Sequence, residues 1–223
     1  MQFRHEVKHT IDRSDYITLC QRLNAVMRPD PYAGPDGTYA IHSLYFDTLS
    51  DRVLREKAEG MNRREKFRLR CYNGDLDHVR LEKKVKRDDL CGKEGVVLTR
   101  AQVEALLRGE VCFPEDAPAL LLELSVRMRS EGLLPRAIVD YVRRPYVCAA
   151  GNVRVTLDSE IRTGVYRTDF LRTDRPTVPA RNAPLLLEVK WGAFLPDYVR
   201  TAVTLPGVRW AAFSKYAACR VYG

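Results

Sequence analysis

The feature that most constrains this chain is the run Arg64-Glu65-Lys66-Phe67-Arg68-Leu69-Arg70-Cys71-Tyr72, followed by His78-Val79-Arg80-Leu81-Glu82-Lys83-Lys84-Val85-Lys86. At the two-residue period of a strand, Lys66, Arg68, Arg70 and Tyr72 share one face, and Phe67, Leu69 and Cys71 share the other. The second run repeats the design, with Arg80, Glu82, Lys84 and Lys86 opposite Val79, Leu81 and Val85. Asn73-Gly74-Asp75 between them supplies the turn of a hairpin. Cationic faces on neighbouring strands repel across the ladder unless an anion sits between them.

At 223 residues the chain can bury a real core, and 45% hydrophobic with 30% charged residues fits a globular protein. The net charge of +8 favours a polyanionic partner, whether nucleic acid, a phosphate-rich ligand or an anionic surface. Six cysteines without a C-x-x-C pair argue against structural zinc and for reduced thiols. The N-terminal residues form no apolar leader, and no run approaches the ~20 apolar residues of a membrane span. The expectation is a soluble, cytoplasmic chain.

Residues 3–11 alternate as a strand, and a helix capped near Asp12 or Ser14 follows, with Leu19 and Leu23 on its apolar stripe. Residues 42–47 read as a strand with Ser43, Tyr45 and Asp47 on its polar face; Ser50 then caps a short helix that ends near Gly60. Residues 88–95 read as a loop, and Thr99 with Gln102 forms a capping box for a helix to about Gly109. Residues 121–129 alternate like a strand, with Glu123, Ser125, Arg127 and Arg129 on one face. Strands are also expected over 136–148, 152–158 and 185–191, and helical turns over 197–204 and 214–222. Parity over 136–148 does not decide which of Arg136 and Arg143 points where. His5 and His9 share the apolar face of the first strand, so packing is expected there rather than metal ligation. No linker or repeat divides the chain, so residues 1–223 are expected to form one domain.

Many strands with apolar residues on one face and Arg, Lys and Glu on the other leave two arrangements. The charged face is either flat and wet or the lining of a closed barrel whose outside is covered by amphipathic helices. A basic lumen needs an anionic guest, because clustered ions without compensation cost several kcal/mol each.

The motifs Arg4-x-Glu6-x-Lys8, Ser43-Leu44-Tyr45-Phe46-Asp47, Arg68-x-Arg70-x-Tyr72 and Glu82-Lys83-Lys84 resemble the vacuolar transporter chaperone (VTC) polyphosphate polymerase domain. Tyr141-x-Arg143, Arg154-x-Thr156-Leu157-Asp158, Glu188-Val189-Lys190 and Phe213-Ser214-Lys215-Tyr216 continue the likeness in the same order. That family belongs to the triphosphate tunnel metalloenzymes. The resemblance therefore implies an α+β fold: a closed antiparallel β-barrel with a basic lumen, flanked by helices. It implies that Arg68, Arg70, Lys84, Arg143, Arg154 and Lys215 are catalytic, gripping nucleotide phosphates and the growing chain. Lys8, Arg4, Tyr45, Lys93, Arg136 and Lys190 are candidate substrate contacts, and Glu188 and Glu6 are candidate ligands for Mn²⁺ or Mg²⁺.

Arg4 departs from the Glu-x-Glu-x-Lys pattern of the related hydrolases. A cation in place of that carboxylate favours anion binding and the polymerase branch. Yeast relatives carry an inositol-phosphate-sensing domain and a membrane region, so coupling to a membrane here implies a separate membrane protein partner.

Other readings stay open at several positions. Glu188 can be a structural ion pair with Lys190 or an arginine opposite, and Lys93 an ordinary surface lysine. Glu6, Glu82 and Glu123 can be metal ligands or can balance the cations. Tyr45 and Tyr72 are more suited to bracing arginines than to reacting. The expected activity is transfer of the ATP γ-phosphate to phosphate or a growing polyphosphate chain, without sequence-specific nucleic-acid binding. The rivals are a triphosphate hydrolase on the same scaffold and a non-catalytic polyanion-binding module.

Overall fold

The computed structural model describes residues 2–88, 90–172, 174–180, 183–207 and 213–220. Strand β1 (Gln2–Ile11) leads into helix α1 (Arg13–Val26), which starts at Asp12 because Asp12 and Asp15 form a reciprocal capping box. The short β2 (Arg28–Pro29) and the long β3 (Tyr39–Asp47) follow, then α2 (Arg52–Ala58). Ser50 does not cap α2. The Asp47 carboxylate does, accepting from the backbone N–H of Val53 at 2.8 Å and of Leu54 at 3.1 Å.

The basic hairpin forms as β4 (Arg63–Tyr72) and β5 (Arg80–Arg87). Next come β6 (Leu90–Val97), α3 (Arg100–Leu107) and α4 (Ala119–Glu131), then β7 (Leu134–Cys148) and β8 (Val153–Thr163). The chain continues through β9 (Val178–Pro179), β10 (Leu185–Trp191), α5 (Asp197–Val203) and α6 (Lys215–Arg220). The expected helical turns at 221–222 lie outside the described residues.

Antiparallel pairing runs β7-β3-β4-β5-β6-β1-β10-β8, and a β7–β8 ladder closes the sheet on itself, so the long strands form a barrel. The alternation read from the sequence sorts side chains to its two faces. Outside, Phe67, Leu69 and Leu81 pack against Val103, Leu106, Leu121 and Leu124 of α3 and α4. Val155, Leu157, Leu187 and Val189 pack against Leu19 and Leu23 of α1 and Val199 of α5. Inside, α6 packs Tyr216 and Cys219 into a smaller apolar cluster with Ile41, Ala137, Val139 and Ile161. Among the described residues, no helix is long and apolar enough to cross a membrane.

Two further sequence expectations are corrected. Residues 121–129 are helical, within α4, and Glu123 lies half-buried between α4 and β5, outside the barrel, paired with Lys83 at 2.5 Å. The buried set Leu120, Leu121, Leu124, Ser125 and Met128 follows the helical period, which a run alternating by two also satisfies in part. Pro118 at the start and Gly132 in the left-handed conformation at the end are the signals that mark the helix. Residues 90–97 are strand, not loop, and ladder with β5 on one side while Leu90–Lys93 pair with β1 on the other. Gly92 and Gly95 read as loop residues, yet the neighbouring strands impose the extended backbone.

Candidate active site

The inward faces of the strands enclose a cavity of about 910 Å³. Fourteen lysine and arginine side chains and two carboxylates, Glu6 and Glu188, line it among the described residues. Two more carboxylates, Glu82 and Asp158, are wholly or almost wholly buried behind the lining.

These four carboxylates, together with Asp30, hold nine of the fourteen cations in place. Arg68 donates to Glu82 at 2.8 Å and to the Tyr45 hydroxyl at 2.8 Å, and Lys93 reaches Glu82 at 2.8 Å. Arg70 donates to Ser43 at 3.2 Å and Tyr141 at 3.1 Å. Arg143 grips Asp158 through two bonds of 2.6 and 2.7 Å, and Lys215 meets the same carboxylate at 2.6 Å. Arg154 is fixed by Asp30 at 2.7 Å and by the Tyr39 hydroxyl at 2.7 Å. Glu6 takes Lys84 at 2.7 Å and Lys8 at 3.0 Å, while Glu188 takes Lys190 and, at 3.7 Å, Lys8.

Burial opposes ionisation of each carboxylate, but the adjoining cations prevail. Lys190, Lys8 and Arg143 hold Glu188 well below the usual carboxylate range; Arg68, Arg70 and Lys93 do so for Glu82. Lys8, Lys84 and Lys190 lower Glu6 against its own burial and the charge of Glu188. The lumen thus presents fixed guanidinium and ammonium groups in excess of ionised carboxylates.

Every residue singled out in the sequence as a phosphate or metal contact lines this cavity except Arg136, Glu82 and Glu123; Glu82 is buried behind the lining and Glu123 pairs with Lys83 outside the barrel. Arg136 is the extra residue of a β-bulge: Tyr45 pairs with Ala137 and Phe46 with Pro135. Its guanidinium meets Asp51 at 3.3 Å, away from the lumen lining. The bulge also explains why alternation could not place Arg136 and Arg143 together. Lys93 lies on β6 rather than on a loop and faces the lumen. His5 stacks on Trp191 with ring centres 5.2 Å apart, at the margin of the same cavity.

Sequence reasoning passed over Arg64 and placed Lys66 and Lys86 on the charged faces without naming them as contacts; all three share parity with Arg68 and Lys84 and also line the cavity. It gave no signal for Lys57, which reaches the lumen from α2. Lys66 makes no ion pair among the described residues; its ammonium lies 5.6 Å from the centre of the Tyr216 ring. Burial, opposed by Tyr45 and reinforced by Lys8 and Lys84, brings its pKa down to about 8. Tyr45 is also brought to about 8: burial resists ionisation, and Arg68, Arg70 and Lys66 overcome it.

A bound phosphate chain stabilises protonated Lys66 and neutral Tyr45, so binding above pH 8 takes up as many as two protons. Affinity for tripolyphosphate is therefore expected to fall above pH 8 with a slope approaching a hundredfold per pH unit, about tenfold from each group. Lys66→Arg should cut that slope to about the tenfold left by Tyr45; titration calorimetry across pH 7–10 measures it, and an unchanged slope would remove Lys66 from the account.

Among the described residues, no three His, Cys, Asp or Glu side chains gather into an all-protein metal cage. Glu6 and Glu188 are neighbouring, ionised, hard oxygen donors in the lumen, which fits Mg²⁺ or Mn²⁺ shared with phosphate oxygens.

A family profile for the VTC domain matches residues 3–222. The chain belongs to the VTC domain family. No curated protein matches this VTC domain. Among solved structures it is similar in fold to a candidate adenylate cyclase from Bacillus halodurans, at 13% identity and a TM-score of 0.51 over 87% of this chain and 83% of that one. A candidate adenylate cyclase from Vibrio parahaemolyticus aligns at 12% identity and a TM-score of 0.46, over 90% of this chain and 82% of that one. The PH1012 protein from Pyrococcus horikoshii OT3 aligns at 14% identity and a TM-score of 0.45, over 90% and 85%. The barrel that encloses the basic lumen of this VTC domain thus shares its fold with the Bacillus halodurans protein.

Proposed function

We propose that this VTC domain is a polyphosphate polymerase that uses ATP. The observation that carries the reading is the lumen itself, where cations outnumber carboxylates and most are held by carboxylate partners before any substrate arrives. Such preorganised positive charge suits phosphoryl transfer, in which catalysis is positioning and neutralisation of charge on the moving group. Polyphosphate offers no base edges, so tunnel width and charge spacing select it.

An oxygen of the acceptor phosphate forms a bond to the ATP γ-phosphorus as the bond to the β–γ bridging oxygen breaks, and ADP departs with that electron pair. Arg68, Arg70 and Arg143, each locked by hydrogen bonds, hold the nonbridging oxygens. Lys84, Lys215 and Lys8 neutralise the remaining charge, and Arg154, Lys190, Lys93 and Arg4 extend the track for the chain. Glu188 and Glu6 would hold the divalent cation, which supplies further neutralisation of the transferring group. No covalent enzyme intermediate is required. Residues 1–223 act as one domain in this reading, and attachment to a membrane falls to a partner protein.

The stoichiometry of turnover tests it. With ATP and Mn²⁺ or Mg²⁺, ADP should form with little free phosphate, the difference appearing in acid-labile chains. ADP and free phosphate in equal amounts would instead make the protein a hydrolase.

A further inference from the structure

A second cavity, of about 530 Å³, lies outside the barrel between the β4–β5 wall and helices α2 and α4. Its cations are Arg52, Arg63, Arg64, Lys86, Arg87 and Arg127, set against Glu56 and Glu65. Arg64 and Lys86 also line the lumen, so the two cavities meet across the end of the β4–β5 hairpin.

The pairing there is unusual. Arg63 lies opposite Arg87, and Arg64 opposite Lys86, so two consecutive cross-strand pairs are of like charge. Directly opposed like charges destabilise a ladder. Arg127 is balanced by Glu65 at 2.6 Å, and Arg52 by Glu131 at 2.5 Å. The four rim cations form no ion pair among the described residues. Arg64 donates to the Met61 carbonyl at 2.8 Å, and Arg87 lies 5.5 Å from the centre of the Phe3 ring. By strand parity, Arg64 and Lys86 point into the barrel, and Arg63 and Arg87 point out of it.

We infer that this rim and the outer groove form a subsite for polyphosphate beyond the tunnel, carrying phosphates of one chain over the barrel edge. The inference rests on the polyphosphate reading of the lumen and adds the path of the chain outside it. A linear polyanion with a charge on every unit matches cations that alternate from the inner to the outer face of one wall. Tripolyphosphate is too short to fill the lumen and the groove together, whereas a long chain fills both.

The test is direct binding to the full chain by titration calorimetry, with tripolyphosphate and long-chain polyphosphate as separate ligands. The Arg63→Ala/Arg87→Ala variant should lose about tenfold in affinity for the long chain and keep that for tripolyphosphate. Arg63→Lys/Arg87→Lys should restore long-chain binding. Equal long-chain affinity in the alanine variant and the wild type would overturn the subsite. An equal loss for single-stranded RNA of matched length would make the groove a nucleic-acid site and overturn the assignment to polyphosphate. If the wild type binds neither phosphate ligand, the reading of the lumen falls and the subsite with it.

Discussion

Replacing Glu188 by glutamine is expected to lower turnover by on the order of a hundredfold or more while leaving polyphosphate binding as tight or tighter. The substitution keeps the shape of the side chain and removes one charge. Glu188 is buried and ionised, with Lys190 in contact, Lys8 at 3.7 Å and Arg143 at 4.0 Å. Without the carboxylate those three cations turn to the ligand, so the lumen gains affinity for a polyanion. What it loses is one of the two hard oxygen donors beside the phosphates. Measuring turnover and tripolyphosphate binding on the same preparation separates the effects. Full turnover in Glu188→Gln would reduce this residue to an ion-pair partner of Lys190.

Asp158→Ala is expected to destabilise the fold by about 3–5 kcal/mol, because it strips the partner from buried cations. Asp158 is fully buried and receives both Arg143 and Lys215. In a chain of this size that corresponds to a fall in Tm of roughly 6–20 °C. The same geometry predicts a rescue: tripolyphosphate should raise the Tm of the variant more than that of the wild type, since phosphate oxygens replace the lost carboxylate. A loss below about 1 kcal/mol would mean that Arg143 finds another anchor.

Much of the barrel could be read from the chain because one face of each strand must meet helices and the other must meet water or an anion. Phe67, Leu69 and Leu81 therefore reported their own side of the wall, and Arg68, Arg70 and Lys84 the other. The failures have physical causes. The alternation over 121–129 fits two periods at once, and only Pro118 and Gly132 distinguish them. β6 carries two glycines and takes its strand form from its neighbours on both sides, which no local pattern records. Arg136 occupies a bulge, where the two-residue period breaks. Asp158 was visible as a motif residue, but its hold on both Arg143 and Lys215 depends on α6 folding into the barrel. Lys57 enters from a helix and Lys66 lacks a carboxylate partner among the described residues, and neither property can be seen before the strands close.

The most direct measurement is to incubate the purified chain with ATP and Mn²⁺, resolve the products on a gel and count mid-chain phosphates by phosphorus NMR, beside Arg68→Ala. The account predicts long chains with a matching amount of ADP from the wild type and none from the variant. Free phosphate without chains, or chains undiminished by Arg68→Ala, would contradict it.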